Sequence, residues 1–196
     1  MDIILASGSP RRKQLLTQMG MRPFNIVSPD VDEAVDRGLS PAQVVETLSA
    51  RKADAVAAQV GPGALIIAAD TIVTLEDAIL GKPADDLDAF RMLSALSGGR
   101  HQVYTGVTLL RGGERRCEHE VTTVTFRELT EADITRYIAT GEPMDKAGAY
   151  GIQGLGALLV ERIEGDYFNV MGLPVCRLGR MLAGLGVDCL ARAGEP

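Results

Sequence analysis

The chain has 196 residues, a net charge of −6 and a pI near 5.0. This length suffices for one domain with a substantial core. The acidic balance argues against a nucleic-acid partner, because binding to a nucleic-acid backbone requires an extended basic surface. The longest apolar run, ALIIAA, is too short to span a membrane, and the first residues lack the basic region of a secretory signal. We therefore expect a cytoplasmic protein with no membrane partner.

The first predicted elements are a short strand and a basic helix. The apolar run Ile3, Ile4 and Leu5 predicts a strand over about residues 2–6. Ser9 followed by Pro10 is typical of a helix start, which predicts a helix over 10–19 that ends before Gly20. The turn between strand and helix directs backbone N–H groups and the positive end of the helix dipole toward one point. Such a turn favours the binding of an anion.

Arg11 and Arg12 follow this turn directly. Two guanidinium groups at a helix N-terminus suit an anion, most naturally phosphate. Ser7 and Ser9 lie in the same turn, but no base is near them in the sequence. Nucleophilic catalysis by either serine is therefore not predicted.

A second strand, 24–28, leads through an acidic loop to a helix predicted from Pro41 to about residue 59. The loop contains four carboxylates, those of Asp30, Asp32, Glu33 and Asp36. A solvated turn is the simplest interpretation. The alternative is that one of them completes a metal site with Asp70, because one or two carboxylates with phosphate oxygens commonly hold Mg²⁺.

Lys52 interrupts the apolar face of the helix that starts at Pro41. Val45, Leu48 and Val56 share this face by their helical spacing. Either the lysine extends to the edge of the apolar face and into solvent, or its ammonium faces a phosphate. Both alternatives stay open at this point.

Residues 64–70 have the continuous apolar character of a strand that is buried on both faces, yet the strand ends in Asp70. A carboxylate there is costly unless a divalent metal or a bound water is its partner, or unless it caps a turn with its own side chain. A hairpin over 71–80 follows. Lys82 lies in the next turn, Gly-Lys-Pro, where it is either solvated or reaches the same ligand as Asp70.

The remaining predicted elements are a mixture of helices and strands, and the sequence contains no internal repeat or linker. They comprise a helix over 85–97, strands over 101–111 and 115–127, a helix over 130–140, a strand over 157–163 and a helix over 174–185. Hairpins and crossover helices both occur, which predicts an α/β protein with a mixed sheet.

The glycine-rich segment 146–156 carries a GxxGxG spacing, the reverse of a dinucleotide-binding fingerprint, and no strand and helix frame it. A Rossmann or P-loop site is therefore excluded. The small residues allow close approach of the backbone, and Tyr150 and Gln153 could contact a base. A simple packing crossover is the alternative.

The cysteines and histidines do not predict a disulfide framework, a metal site or a catalytic site. Cys117, Cys176 and Cys189 are odd in number and lack a CxxC spacing, so neither a disulfide framework nor a zinc site is predicted. His101 and His119 both fall in predicted strands, where we expect structural or exposed positions.

Six motifs in this order and spacing resemble the Maf family of nucleoside triphosphate pyrophosphatases: SGSPRRKQLL, AADTIV, GKP, TGV, DKAGAYGIQG and VMGLPV. The resemblance covers essentially the whole chain and implies one domain over residues 1–196. The fold it implies is an elongated mixed β-sheet with flanking helices, in two lobes around a cleft, similar to the inosine triphosphate pyrophosphatases. The sequence does not fix the boundary between the lobes.

The activity that the resemblance implies is hydrolysis of the bond between the α- and β-phosphates of a nucleoside triphosphate, giving the monophosphate and pyrophosphate. Arg11, Thr71 and Gln153 match the subgroup that acts on dTTP and UTP, and differ from the subgroup that acts on 7-methyl-GTP. Modified pyrimidine nucleotides are further candidate substrates, in nucleotide-pool housecleaning. A divalent cation, Mg²⁺ or Mn²⁺, and a homodimer are also implied.

Asp70 matches the proton acceptor of the family, and Asp70 with Glu33 would hold the metal. Four cations are expected to bind the substrate phosphates: Arg11, Arg12, Lys52 and Lys82. Ser7 and Ser9 are expected to contribute to substrate binding. The alternative function is a nucleotide-binding regulator of septum formation and cell division without significant turnover. Metal-dependent hydrolysis would distinguish the two.

Overall fold

The computed structural model describes residues 1–36, 38–76 and 78–193. These residues form seven strands in one mixed sheet: β1 (Ile3–Ala6), β2 (Asn25–Ile26), β3 (Leu65–Leu75), β4 (Ala78–Leu80), β5 (Arg100–Arg111), β6 (Glu114–Phe126) and β7 (Val160–Glu164). The strand order is β2-β1-β3-β5-β6-β7, and β4 pairs with β3 outside this path. The predicted α/β class with a mixed sheet is confirmed.

Seven helices accompany the sheet in the same residues: α1 (Pro10–Gln18), α2 (Pro41–Ala57), α3 (Asp86–Leu96), α4 (Glu131–Ile138), α5 (Tyr167–Met171), α6 (Val175–Ala183) and α7 (Cys189–Ala193). Three 3₁₀ turns lie at Glu142–Asp145, Ala147–Ala149 and Leu155–Leu158. The sequence did not predict α5 and α7, because helices of five residues are too short for a periodic pattern. No helix in the described part of the chain is long and apolar enough to cross a membrane.

The strand β1 pairs in parallel with β2 and with β3, and β3 pairs with β4 in an antiparallel hairpin. The predicted hairpin is therefore confirmed, although Asp77 of its turn lies outside the described residues. One expectation is wrong. The strand does not end at Asp70 but continues to Leu75, so Asp70 lies within β3 and does not cap a turn.

Helix starts follow the predicted chemistry at α2 and only partly at α1. Ser40 forms a capping box with Gln43 at the start of α2. Ser9 occupies the N-cap of α1 by its backbone, with Pro10 in the first turn, but its side chain makes no capping hydrogen bond. The N–H of Ser9 instead donates to Ser7 Oγ at 3.3 Å.

The chain divides into two compact units. Unit 1 comprises Met1–Asp70, Thr105–Glu120 and Gly172–Pro196. A buried cluster of aliphatic side chains from β1, α2 and β3 lies within it: Ile4, Ala6, Ala53, Val56, Ile66 and Ala68. This cluster places α2 against the same strands that carry the predicted site residues.

Unit 2 comprises Thr71–Tyr104 and Val121–Met171. Its buried cluster includes Leu93 of α3, Phe126 of β6 and Tyr137 of α4. The Nε2 atom of His101 and the hydroxyl of Tyr150 lie within hydrogen-bond distance, 2.8 Å, inside this core. The expectation that His101 is structural is confirmed.

Candidate active site

Lys52 lies between two carboxylates in unit 1. From α2 its Nζ donates to Asp70 Oδ1 of β3 at 2.5 Å, and to Glu33 Oε1 of the acidic loop at 2.9 Å. The side chains of Lys52 and Asp70 are only 13% and 10% exposed, whereas that of Glu33 is 66% exposed. The pair of Lys52 with Asp70 is therefore largely removed from solvent, where neither charge is tolerated without a partner.

The position of Lys52 on α2 agrees with the sequence pattern. Val45, Leu48 and Val56 of the same face are buried, as predicted. The ammonium of Lys52 does not extend into solvent, because it is held by the two carboxylates. Of the two interpretations of this lysine, the solvated one is wrong.

Arg12 is held by oxygen atoms of two other segments of unit 1. Its Nε donates to the carbonyl oxygen of Gly172 at 2.8 Å, and its Nη1 donates to Ser7 Oγ at 3.1 Å. These two hydrogen bonds fix the plane of the guanidinium group. Ser7 thus orients the arginine and also accepts the N–H of Ser9.

Burial and the neighbouring charges act on the pKa of Arg12 in opposite directions. Although part of its surface is exposed, protein atoms closely surround the guanidinium, and this burial lowers the pKa of Arg12. The negative charges of Asp70 and Glu33 act in the opposite direction, while the positive charge of Arg11 lowers the pKa further. An arginine stays protonated under these conditions. Its guanidinium can therefore form charge-assisted hydrogen bonds to the oxygens of an anion.

The other predicted residues belong to unit 2. Thr71 follows Asp70 on β3, Lys82 is exposed in its turn, and Gln153 is exposed in the glycine-rich segment. The N–H of Gly148 donates to the carbonyl of Gly81 at 3.0 Å, which joins the turn of Lys82 to the glycine-rich segment.

The suggestion that Tyr150 contacts a base is wrong. Its ring is buried, and it packs edge-on against His101 and Phe126. The aromatic ring that was predicted to contact a base therefore packs in the core of unit 2. Gln153 alone of the two candidates is exposed.

Glu33 and Asp70 provide a donor set that suits a small divalent cation. Both carboxylates converge on one ammonium nitrogen, at 2.9 and 2.5 Å. Asp32, by contrast, uses Oδ1 to accept the N–H of Ala34. No group of three or more His, Cys, Asp or Glu side chains able to hold a metal occurs among the residues that the structure describes. Two carboxylates with phosphate oxygens and water fit Mg²⁺ or Mn²⁺, which need no complete protein cage.

Sequence reasoning missed one residue in each unit. The carbonyl of Gly172 orients Arg12, and only its place in the VMGLPV motif could have indicated it. Glu142 contacts the glycine-rich segment, and no local pattern around it predicted this role.

Comparison with known proteins decides the family. The family model described as "Maf-like protein" matches residues 2–185. The chain belongs to the Maf family. The predicted membership is thereby confirmed.

Two relatives of this Maf protein are named dTTP/UTP pyrophosphatase. The relative from Symbiobacterium thermophilum is 53% identical over 185 residues, which cover 94% of each chain. The relative from Moorella thermoacetica is 53% identical over 192 residues, which cover 97% of this chain and 98% of the relative.

Similarity to solved structures is more distant. A nucleoside-triphosphatase/dITP/XTP pyrophosphatase from Mycobacterium abscessus shares 16% identity with this Maf protein, with a TM-score of 0.46, over 94% of this chain and 97% of that one. The Ham1 protein of Staphylococcus aureus shares 15% identity, with a TM-score of 0.43, over 64% and 72% of the two chains.

Proposed function

We propose that this Maf protein is a nucleoside triphosphate pyrophosphatase that cleaves dTTP and UTP between the α- and β-phosphates. Relatives that carry this name are 53% identical over 94% or more of the chain. Within the chain, the observation that carries the proposal is the buried contact between Lys52 and Asp70, with Glu33 on the same ammonium. Such a group combines a fixed carboxylate with positive charge, as hydrolysis of a phosphoanhydride bond requires.

The phosphates bind at the basic start of α1. Arg12 is oriented by Gly172 and Ser7, and its guanidinium forms charge-assisted hydrogen bonds to phosphate oxygens. Arg11 and the backbone around Ser9 add positive charge and N–H groups at the same helix start. Lys52 and Lys82 complete the set of phosphate-binding cations.

Asp70 accepts the proton of the attacking water. Its position within β3 holds the carboxylate rigidly, and Lys52 binds Oδ1 and compensates the buried charge. As the water oxygen bonds to phosphorus, its proton passes to Asp70 and the bridging P–O bond breaks. The products are the nucleoside monophosphate and pyrophosphate.

Glu33 and Asp70 would hold the divalent cation, Mg²⁺ or Mn²⁺. When bound, the cation supplies neutralisation of phosphate charge and a more acidic water. The two carboxylates also keep the ammonium of Lys52 in place, which the distances of 2.9 and 2.5 Å indicate.

Arg11, Thr71 and Gln153 select the base, in favour of dTTP and UTP over 7-methyl-GTP, and modified pyrimidine nucleotides are included in the substrate class. The chain acts as one pyrophosphatase domain over residues 1–196, in the cytoplasm and as a homodimer, in nucleotide-pool housecleaning.

The test is pyrophosphate release from dTTP, UTP, CTP, GTP, ATP and 7-methyl-GTP, with Mg²⁺, with Mn²⁺ and with a chelator. We expect release that prefers dTTP and UTP and that the chelator abolishes. Release from none of the nucleotides, with binding of dTTP retained, would contradict the proposal and favour a nucleotide-binding regulator.

A further inference from the structure

The carboxylate of Glu142 lies at the centre of the glycine-rich segment of unit 2. Its Oε1 accepts hydrogen bonds from the Tyr137 hydroxyl at 2.9 Å and from the N–H of Gly156 at 3.0 Å. Its Oε2 accepts the N–H of Leu155 at 2.9 Å. One side chain thus satisfies two backbone donors that lie 13 and 14 residues further along the chain.

Tyr137 extends this contact to the beginning of the segment. Its ring is buried in the core from α4, and its hydroxyl oxygen accepts the N–H of Gly151 at 3.1 Å while the hydroxyl donates to Glu142. The stretch from Gly151 to Gly156 is therefore attached at both ends to one pair of side chains. A core-anchored ring makes this attachment rigid.

Gln153 lies between these two attachment points. The N–H of Gly154 donates to the carbonyl of Gly151 at 3.4 Å, which closes a four-residue turn with Gln153 at its third position. A Cβ on Gly154 would overlap the Glu142 carboxylate, and one on Gly156 would lie 2.6 Å from the Tyr137 oxygen. The backbone can approach the carboxylate this closely only because these positions lack side chains.

Glu142 acts here as an ionised acceptor. Burial acts to raise its pKa, but the N–H groups of Gly156 and Leu155, the Tyr137 hydroxyl and the charge of Lys146 outweigh this effect, so that the pKa of Glu142 is lowered. Lys146 Nζ donates to the backbone carbonyl of Glu142 at 2.5 Å. The carboxylate consequently offers only acceptor atoms to the turn at neutral pH.

We propose that Glu142 is a positioning residue for base selection, because its carboxylate and the Tyr137 hydroxyl hold the turn that presents Gln153. The assignment rests on the proposed function, in which Gln153 contributes to the choice of nucleotide. Glu142 itself touches no substrate in this account. It acts through the turn.

Glu142→Gln tests the assignment with little change of volume. An amide has one acceptor oxygen, so either Leu155 or Gly156 would lose its partner and face an N–H₂ group. Glu161→Gln is the matched control, since Glu161 is exposed on β7 of the same unit and loses the same charge. Tyr137→Phe keeps the ring in the core and removes only the hydroxyl.

The measurement is kcat and KM for dTTP and for CTP in each variant, with amide hydrogen exchange at Leu155 and Gly156. For Glu142→Gln we expect KM for dTTP to rise about tenfold with kcat within about twofold, and the preference for dTTP over CTP to fall about tenfold. Exchange of the two amides should accelerate by a similar factor. Tyr137→Phe should change selectivity in the same direction, and Glu161→Gln should change neither quantity.

The possible outcomes separate this assignment from the proposed function. A wild-type chain that releases no pyrophosphate from any nucleotide refutes the proposed function, and base selection by Glu142 with it. An active wild type with unchanged selectivity in folded Glu142→Gln and Tyr137→Phe overturns only the assignment. A uniform loss of kcat on both nucleotides also overturns it, because that result indicates a merely structural role.

Discussion

Lys52 joins two carboxylates that the chain brings from the acidic loop and from β3. At the level of single residues, this contact should matter for stability as well as for activity, because Asp70 is buried. Replacing the ammonium by an apolar group leaves a buried carboxylate without its partner. The cost of such a change far exceeds that of breaking an exposed pair.

We expect Lys52→Met to lower the free energy of unfolding by about 3 kcal/mol. The matched control is Arg115→Met, because Arg115 pairs with Asp54 of the same helix and both side chains are about half exposed, at 45% and 51%. The control should lose less than about 1 kcal/mol. Urea unfolding at neutral pH measures both values, and equal losses would contradict the burial argument.

The sequence indicated Lys52 and Asp70 because each breaks a local apolar pattern: one on a helix face, the other in a buried strand. It could not indicate the partners of Arg12 or Glu142. Arg12 and Gly172 are 160 residues apart, and the contacts of Glu142 span 13 and 14 residues through irregular backbone. Such pairs arise from tertiary packing, which no local periodicity records.

The packing of α2 on β5 sets the position of Lys52 at the level of elements. Gly106 of β5 lies against the backbone of α2, and a Cβ there would overlap the carbonyl group of Val45 and lie 2.8 Å from the N atom of Glu46. Backbone atoms cannot move aside as a flexible side chain can. A side chain at position 106 would therefore displace the helix.

Gly106→Ala should lower the free energy of unfolding by about 2 kcal/mol and also reduce activity, because α2 carries Lys52. Gly179→Ala on α6 is the control, since nothing lies within 4 Å of an added Cβ there. It should raise stability by about 0.5–1 kcal/mol, through a higher helix propensity. Chemical denaturation of the two variants measures both changes in the free energy of unfolding. An unchanged free energy of unfolding in Gly106→Ala would show that α2 does not pack on β5 as described.

The strand β5 also carries a buried histidine with a pH-dependent effect. Burial lowers the pKa of His101 from 6.5 to about 4. Between these pH values the unfolded chain binds a proton that the folded chain does not bind. Stability is therefore full above about pH 6.5 and falls as the pH decreases toward 4, by about 3 kcal/mol in total.

His101→Gln removes this proton uptake. We expect the stability difference between wild type and variant to shrink by about 2 kcal/mol from pH 7 to pH 4.5. Urea unfolding at the two pH values measures the difference. A constant difference would mean that His101 takes up its proton over the same pH range in the folded and in the unfolded chain.

At the level of the whole molecule, the order of the strands and of the five longer helices followed from the sequence. The short helices α5 and α7 and the composition of the two units did not. Unit 1 draws on three separate segments, one of which, Thr105–Glu120, comprises most of β5 and the first half of β6. The sequence also did not predict that β3 continues through Asp70, because a carboxylate is unusual inside a buried strand. The carboxylate is tolerated there because the ammonium of Lys52 is its partner. Motifs spread along the chain carry the resemblance to the Maf family. That resemblance indicated the activity and the site residues, which the periodicity of apolar residues does not indicate.

The proton-accepting role of Asp70 is tested by pyrophosphate release from dTTP by the wild type and by Asp70→Asn, with Mg²⁺ present and with dTTP binding measured separately. The amide keeps the size of the side chain but cannot accept the proton of water. We predict a fall in kcat of about 10²–10⁴-fold with binding retained within a few-fold. An Asp70→Asn protein that keeps the full kcat of the wild type would contradict the assignment of Asp70 as the proton acceptor.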